Sequence, residues 1–173
     1  SGTLKQVTYY KETVKGDDGR RVGTNAGGDA AIGNGAWGIL VYGTATAGNI
    51  IRSNLSSGNV NQGVYLHSGA HHNTVAGNLI GSNSAGIAAV PNNGGGVALS
   101  DGAHDNTIGG TAPGDANIIV GNAYQGIYLT HATTTGNLIY GNCIGTNELM
   151  ATNLGNAFEG ILIQGAANTQ IGG

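Results

Sequence analysis

The residues best equipped for chemistry fall in one kind of place. All five histidines (His67, His71, His72, His104 and His131) lie in short turns that follow a strand-like phrase of glycine, a β-branched residue, any residue and a leucine-like residue. Aligning the glycines of successive phrases sets His71 against His104 and His72 against Asp105, each pair 33 residues apart like Gly63 and Gly96. Ser68, Asp101 and His131 form a third column by the same alignment. Neighbouring strands lie about 4.8 Å apart, so stacked columns would bring imidazoles and carboxylates close enough to share a divalent metal or to titrate together. His71, His72, His104 and Asp105 are the candidate metal ligands, and no other cofactor is implied. The alternative for the same turns is a polar corner facing water. No established metal spacing, such as a helical His-Glu-x-x-His, accompanies them.

A second set of residues offers contact chemistry. The middle position of each phrase is Leu40, Tyr65, Ala98, Tyr128 or Leu162, and side chains alternate along a strand. Tyr65, Tyr128 and Leu162 therefore form a candidate binding stripe on a solvent face, suited to a protein partner or to stacking on sugars. The competing expectation is that residues 3–14 or an insertion loop covers the stripe.

The elements that position both sets are read from the repeats. The phrase occurs as Gly38-Ile39-Leu40-Val41, Gly63-Val64-Tyr65-Leu66, Gly96-Val97-Ala98-Leu99, Gly126-Ile127-Tyr128-Leu129 and Gly160-Ile161-Leu162-Ile163. Steps between these glycines are 25, 33, 30 and 34 residues. An Asn-x-(Ile/Val) phrase follows, as at Asn73-Thr74-Val75 and Asn106-Thr107-Ile108, and then a third apolar phrase, as at Asn78-Leu79-Ile80 and Asn117-Ile118-Ile119. Alternate cycles match best: Asn73, Asn78 and Asn83 recur 64 residues later at Asn137, Asn142 and Asn147. Self-similarity of this period marks a solenoid whose units bury their apolar faces only by stacking. The expected fold is all-β: a parallel β-helix of about five rungs, three short strands per rung, with two asparagine corners. The columns Ile39/Val64/Val97/Ile127/Ile161 and Val41/Leu66/Leu99/Leu129/Ile163 should fill its interior.

Composition fits. The 173 residues include 34 glycines, 2 prolines and few charges, which excludes a helical protein, and the glycines lack a collagen period. A net charge of −3 provides no basic stripe for nucleic acid. Cys143, the single cysteine, aligns with Leu79 and Ile118 and reads as an apolar filler. No run of apolar residues is long enough for a membrane-spanning helix, so membrane insertion is not expected.

Residues 1–33 do not match the repeat and read as an N-terminal cap or an exchangeable strand and hairpin, with a turn at residues 15–20. Residues 34–173 carry the rungs, with insertion loops at 82–95 and 146–159 of the kind that often bind ligands. The last rung reads as open. It is expected to be completed by another copy or to continue in a longer solenoid, with Val7, Tyr9, Tyr10 and Ile171 as candidate assembly residues.

The Asn-x-Ile-x-Gly-Asn and Gly-Ile-x-Leu phrases resemble the β-helix repeat of the pectate-lyase-like superfamily, as found in large bacterial secreted and surface proteins. The resemblance spans about residues 34–173 and implies a right-handed, single-stranded, three-faced helix in an extracellular or cell-surface setting. It implies no catalytic residue. The clustered aspartates and basic residue of the lyases, and the aspartate set of the polygalacturonases, have no counterpart in the rungs, where Arg52 is the lone arginine. The expected function is a non-catalytic structural, assembly or adhesive module that self-associates or binds another chain. The alternatives are a polysaccharide-binding module, or a polysaccharide lyase or hydrolase using the His/Asp corner.

Overall fold

Short apolar phrases bounded by glycine and asparagine favour extended segments ended by turns. In the computed structural model, strands are the sole regular elements among the described residues, which are 20–146 and 153–172 together with the strand backbone at 3–4 and 7–9. Strands β1 (Thr3–Leu4), β2 (Val7–Tyr9) and β3 (Arg21–Val22) come first. The first complete rung is β4 (Ile39–Tyr42), β5 (Ile50–Arg52) and β6 (Leu55–Ser56), followed by β7 (Val64–His67), β8 (Thr74–Ala76) and β9 (Leu79–Ile80). The third is β10 (Val97–Leu99), β11 (Thr107–Gly109) and β12 (Ile118–Ile119), and the fourth β13 (Ile127–Thr130), β14 (Leu138–Tyr140) and β15 (Cys143–Ile144). The fifth contributes β16 (Ile161–Gln164) and β17 (Gln170–Ile171).

Every third strand stacks on the same sheet. The three sheets run β2-β4-β7-β10-β13-β16, β5-β8-β11-β14-β17 and β1-β3-β6-β9-β12-β15, and the pairings are parallel. This is a parallel β-helix, a solenoid of about five rungs with three strands per rung. Register follows the glycine alignment: Ile39, Val64, Val97, Ile127 and Ile161 stand in one column, and Val41, Leu66, Leu99, Leu129 and Ile163 in another. Both columns are buried in the core through rung four, and their fifth-rung members are progressively more exposed. The glycine that opens each of the first four phrases is required by close approach. At Gly63 an added Cβ would sit 2.7 Å from Ile80 Cγ2 and 2.8 Å from Asn92 Nδ2.

Three asparagine ladders run along the rod, one more than the two expected. Asn49, Asn73, Asn106 and Asn137 form one, and Asn54, Asn78, Asn117 and Asn142 a second. The third, Asn34-Asn59-Asn92-Asn122-Asn156, is linked by side-chain bonds of 2.6–2.9 Å. It takes Asn92 and Asn156, read from sequence as loop residues, into the corner of the rung.

The parallel ladder also reaches back past residue 34. β2 pairs with β4 through Val7↔Ile39 and Tyr9↔Val41, and β3 pairs with β6 through Arg21↔Leu55. The sheets thus extend to strands within residues 1–33. Residues 24–31 form a loop closed by an antiparallel bridge, Thr24↔Ala31, equivalent to Ser82↔Ala89 and Thr146↔Asn153. The expected hairpin turn and Tyr10 lie outside the described residues, and Ile171 pairs with Ile139 at the edge of its sheet.

Asparagines inside the ladders have a full set of partners, whereas Asn49 Oδ1, at the end of its ladder, is buried without one. Asn106 Oδ1 accepts from the backbone N–H and the side-chain amide of Asn73, both at 3.0 Å, while its Nδ2 donates to Ala70 O and Asn137 Oδ1. A buried group left without its partner costs about 1–3 kcal/mol. Asn106→Leu is therefore expected to lower the unfolding free energy by about 3 kcal/mol or more in urea. Thr74→Ala on the outer face should change it by less than about 0.5 kcal/mol. A loss at Asn106 as small as that at Thr74 would show that the ladder contributes little.

Candidate functional site

The histidine corner is built by two backbone columns of positive φ. One holds Gly43, Ser68, Asp101, His131 and Gly165, and the other Gly48, His72, Asp105, Gly136 and Asn168. Aspartate, asparagine and histidine tolerate this left-handed conformation better than most residues. Conformation thus accounts for much of the His/Asp content of the corner.

The aligned residues do meet. His71 and His104 are bridge partners, with rings stacked at 4.8 Å and 8°. His72 stands edge-on to both, at 5.1 and 6.2 Å. His104 Nδ1 lies 2.9 Å from Asp105 Oδ2, and His71 Nδ1 lies 3.1 Å from Gly69 O. Parallel rings direct their free nitrogens side by side instead of toward a common point. Among the described residues no group of three or more metal-ligating side chains is placed to hold one ion. A His/Asp contact of equal length, His67–Asp101, lies outside the aligned columns, whereas Asp101 and His131 meet within the third. Asp101 reaches His67 Nδ1 at 2.9 Å and His131 Nδ1 at 3.1 Å, so a single carboxylate of rung three ties a histidine of rung two to one of rung four.

Tyr65, Tyr128 and Leu162 share the outer face of the first sheet as expected, but their surroundings differ. Tyr65 leans across rung three to Ser100, its hydroxyl 2.6 Å from Ser100 Oγ, and Ala98 is left 2% exposed. Its ring is sandwiched between Trp37 at 5.6 Å and His67 at 5.0 Å, and Tyr42 packs on the other side of His67. Tyr65 is thus a packed part of the face. Tyr128 is half-buried and donates to Gln164 at 2.7 Å, and Leu162 is half-buried beside it.

The openings on this face come from residues that sequence reading passed over. Just before each strand glycine the rungs carry Trp37, Gln62, Gly95, Gln125 and Glu159 in one column. The column before that holds Ala36, Asn61, Gly94, Tyr124 and Phe158. Rung three alone has glycine at both places. The result is a transverse cleft of about 400 Å³ floored by Gly94 and Gly95 and walled by Asn61, Gln62, Tyr124, Gln125 and Tyr128. Outside it Phe158 stacks on the Tyr124 ring at 5.3 Å and 9°, both at least half exposed. A register alignment extended two residues upstream of the strand glycines would have revealed the gap.

Charged groups near these features are engaged. The hydrogen bond from Gln125 holds Glu159 below its usual carboxylate range, and the bond from Arg52 does the same for Asp115. Compared with known protein families, curated proteins and solved structures, the chain matches none of them.

Burial raises the Tyr65 phenol above its ordinary value of 10.0, outweighing the lowering effect of the Ser100 bond, and the charge of Asp101 adds to the rise. Above that ordinary value the unfolded chain has lost a proton that the folded chain keeps, so stability falls as pH rises. Tyrosinate absorbance is expected to show one late-ionising group that disappears in Tyr65→Phe. Unchanged late ionisation in that variant would contradict the assignment.

Proposed function

We propose that the chain is a non-catalytic adhesive β-solenoid module, a stiff scaffold that presents the outer face of its first sheet to a polysaccharide. The observation that carries this reading is the cleft at Gly94–Gly95, with tyrosine and amide side chains around a backbone floor. Aromatic rings with a polar tip and amides that both donate and accept suit a ligand with apolar ring faces and many hydroxyls. The repeated Asn-x-Ile-x-Gly-Asn and Gly-Ile-x-Leu phrases support membership of the pectate-lyase-like superfamily, with right-handed winding and an extracellular or cell-surface setting.

The disposition of the carboxylates supports a non-catalytic role. A glycosidase needs one carboxyl to protonate the leaving group and a second to act on the sugar, about 5–9.5 Å apart across the bond. Here Asp101 is held by two histidines, Asp105 by His104, Asp115 by Arg52 and Glu159 by Gln125. None of them lies on the floor of the cleft.

Affinity electrophoresis through gels containing single polysaccharides tests the reading. The wild type should be retarded by at least one of them, and Tyr128→Ala should migrate as in an empty gel while retaining its thermal midpoint. Free migration of the wild type across a broad panel would dismiss the adhesive function.

End-on association of copies is a second reading. It is favoured by the register, which repeats without offset from β2 to β16, so that one rung's edge is equivalent to the next. Light scattering after size exclusion should then give a mass that grows with concentration. A monomer mass at every concentration would rule this out.

A further inference from the structure

We infer that the cleft across rung three takes one ring of a neutral glycan, and that this face discriminates against the uronate polymers that the superfamily resemblance would suggest. The inference rests on the adhesive reading above and specifies the ligand of the same face.

Shape is the first ground. In the two columns ahead of the strand glycines, rungs two and four carry Asn61-Gln62 and Tyr124-Gln125 where rung three carries Gly94-Gly95. Neither glycine adopts the left-handed backbone that would by itself demand glycine. An added Cβ would meet neighbouring backbone, 2.8 Å from Asn61 C at Gly94 and 2.8 Å from Gln125 O at Gly95. Close packing on the backbones of rungs two and four thus holds both positions to glycine, and with no side chains there the space above rung three, about 400 Å³, lies within the usual range of ligand pockets.

Polar chemistry is the second. Gln62 and Gln125 face each other from rungs two and four across the recess, and each amide offers an acceptor oxygen and two N–H donors. Gln125 Nε2 donates to Glu159 Oε2 at 2.9 Å, which fixes the amide and leaves its oxygen as an acceptor for a hydroxyl. The Tyr128 ring is oriented by its bond to Gln164 and forms an aromatic wall. Paired donors and acceptors beside a ring face match vicinal hydroxyls on a pyranose.

Charge is the third. The six lysines and arginines are Lys5, Lys11, Lys15, Arg20, Arg21 and Arg52, so rungs two to five contain none. Arg52 is engaged with Asp115 at 2.6 Å. Beside the cleft stands Glu159, held in its charged form. A uronate carboxylate there would meet a like charge and no cation, whereas a neutral sugar loses nothing.

Hydroxyethylcellulose, galactomannan and polygalacturonate, each in an affinity gel, serve as probes for the intact chain. A neutral polymer should retard the protein and polygalacturonate should not, with little dependence on salt. Gln62→Ala with Gln125→Ala should weaken retention by about tenfold or more, as expected for two lost hydrogen bonds. Phe158→Ala, on the exposed platform outside the cleft, should leave retention unchanged. Equal thermal midpoints would establish that the variants fold. Retention by polygalacturonate alone, or loss in Phe158→Ala with full retention in the double glutamine variant, would overturn the inference while the adhesive reading stands. Free migration in all three gels would overturn the neutral-glycan assignment, and the broader panel above then decides the adhesive reading separately.

Discussion

Each rung must turn three corners, and at each corner the backbone leaves the sheets that satisfy it. The asparagine ladders meet that constraint. An asparagine oxygen accepts both the backbone N–H and the side-chain amide of the asparagine one rung before it, as at Asn73 and Asn106. Its two N–H donors go to a carbonyl of the previous rung and to the next asparagine, so Asn78 bonds Ile51 O and Asn117 Oδ1. All four hydrogen-bonding positions of the amide are then used in the buried interior. Because the chain of amides fixes the pitch and position of each corner, the strands between corners have a single register. The apolar columns, and every column on the outer faces, inherit it.

Between corners the chain is free to vary, within a limit set by packing. Bridged loops follow β3, β9 and β15, whereas β6 and β12 are followed by short turns at Gly58-Asn59 and Gly121-Asn122. The alternation has a steric cause. A Cβ on Gly58 would sit 2.7 Å from Ala31 Cβ, and one on Gly121 would sit 2.7 Å from Ala89 Cβ. The loops after β3 and β9 fold over the short turn of the following rung, where the loop's alanine leaves room only for glycine. Successive loops interact as well, Ser84 donating to Gly27 O and Gly28 O at 2.9 Å. A two-rung unit is therefore the true repeat, which is why alternate cycles of the sequence match better than adjacent ones.

The strands and their columns were legible because the Gly-Ile-x-Leu phrase records two physical requirements at once, close approach at the glycine and burial at alternate positions. Two ladders were legible for a similar reason, each asparagine standing directly before a short strand with a buried or half-buried apolar residue. The third is equally regular, since Asn34, Asn59, Asn92, Asn122 and Asn156 each stand four residues before a strand glycine, but it lies upstream of the glycines, where the columns were not aligned. Val22-Gly23-Thr24-Asn25 is a copy of Ile80-Gly81-Ser82-Asn83, yet the glycine-rich residues after it masked the match. At the corner, alignment placed His71 on His104 correctly but said nothing of ring direction, and His67 lay in the strand, outside the columns being aligned. Tyr65 looked like Tyr128 in sequence. Only the packing of Trp37, His67 and Ser100 around it separates a structural tyrosine from one that lines an opening.

A rigid register also changes where recognition chemistry should be sought. On such a rod the backbone cannot bend to make a pocket, so a pocket arises by omission, where one rung lacks side chains that its neighbours keep. Gly94 and Gly95 do this between Asn61-Gln62 and Tyr124-Gln125. The histidine corner shows the converse. Its residues are chemically versatile and closely spaced, but Asp101, His131, His72 and Asp105 sit at backbone positions of positive φ that restrict the choice of residue. Versatile side chains at a conformationally demanding position carry little functional information by themselves. For a solenoid, the column that breaks its own pattern is the stronger indication of a binding site.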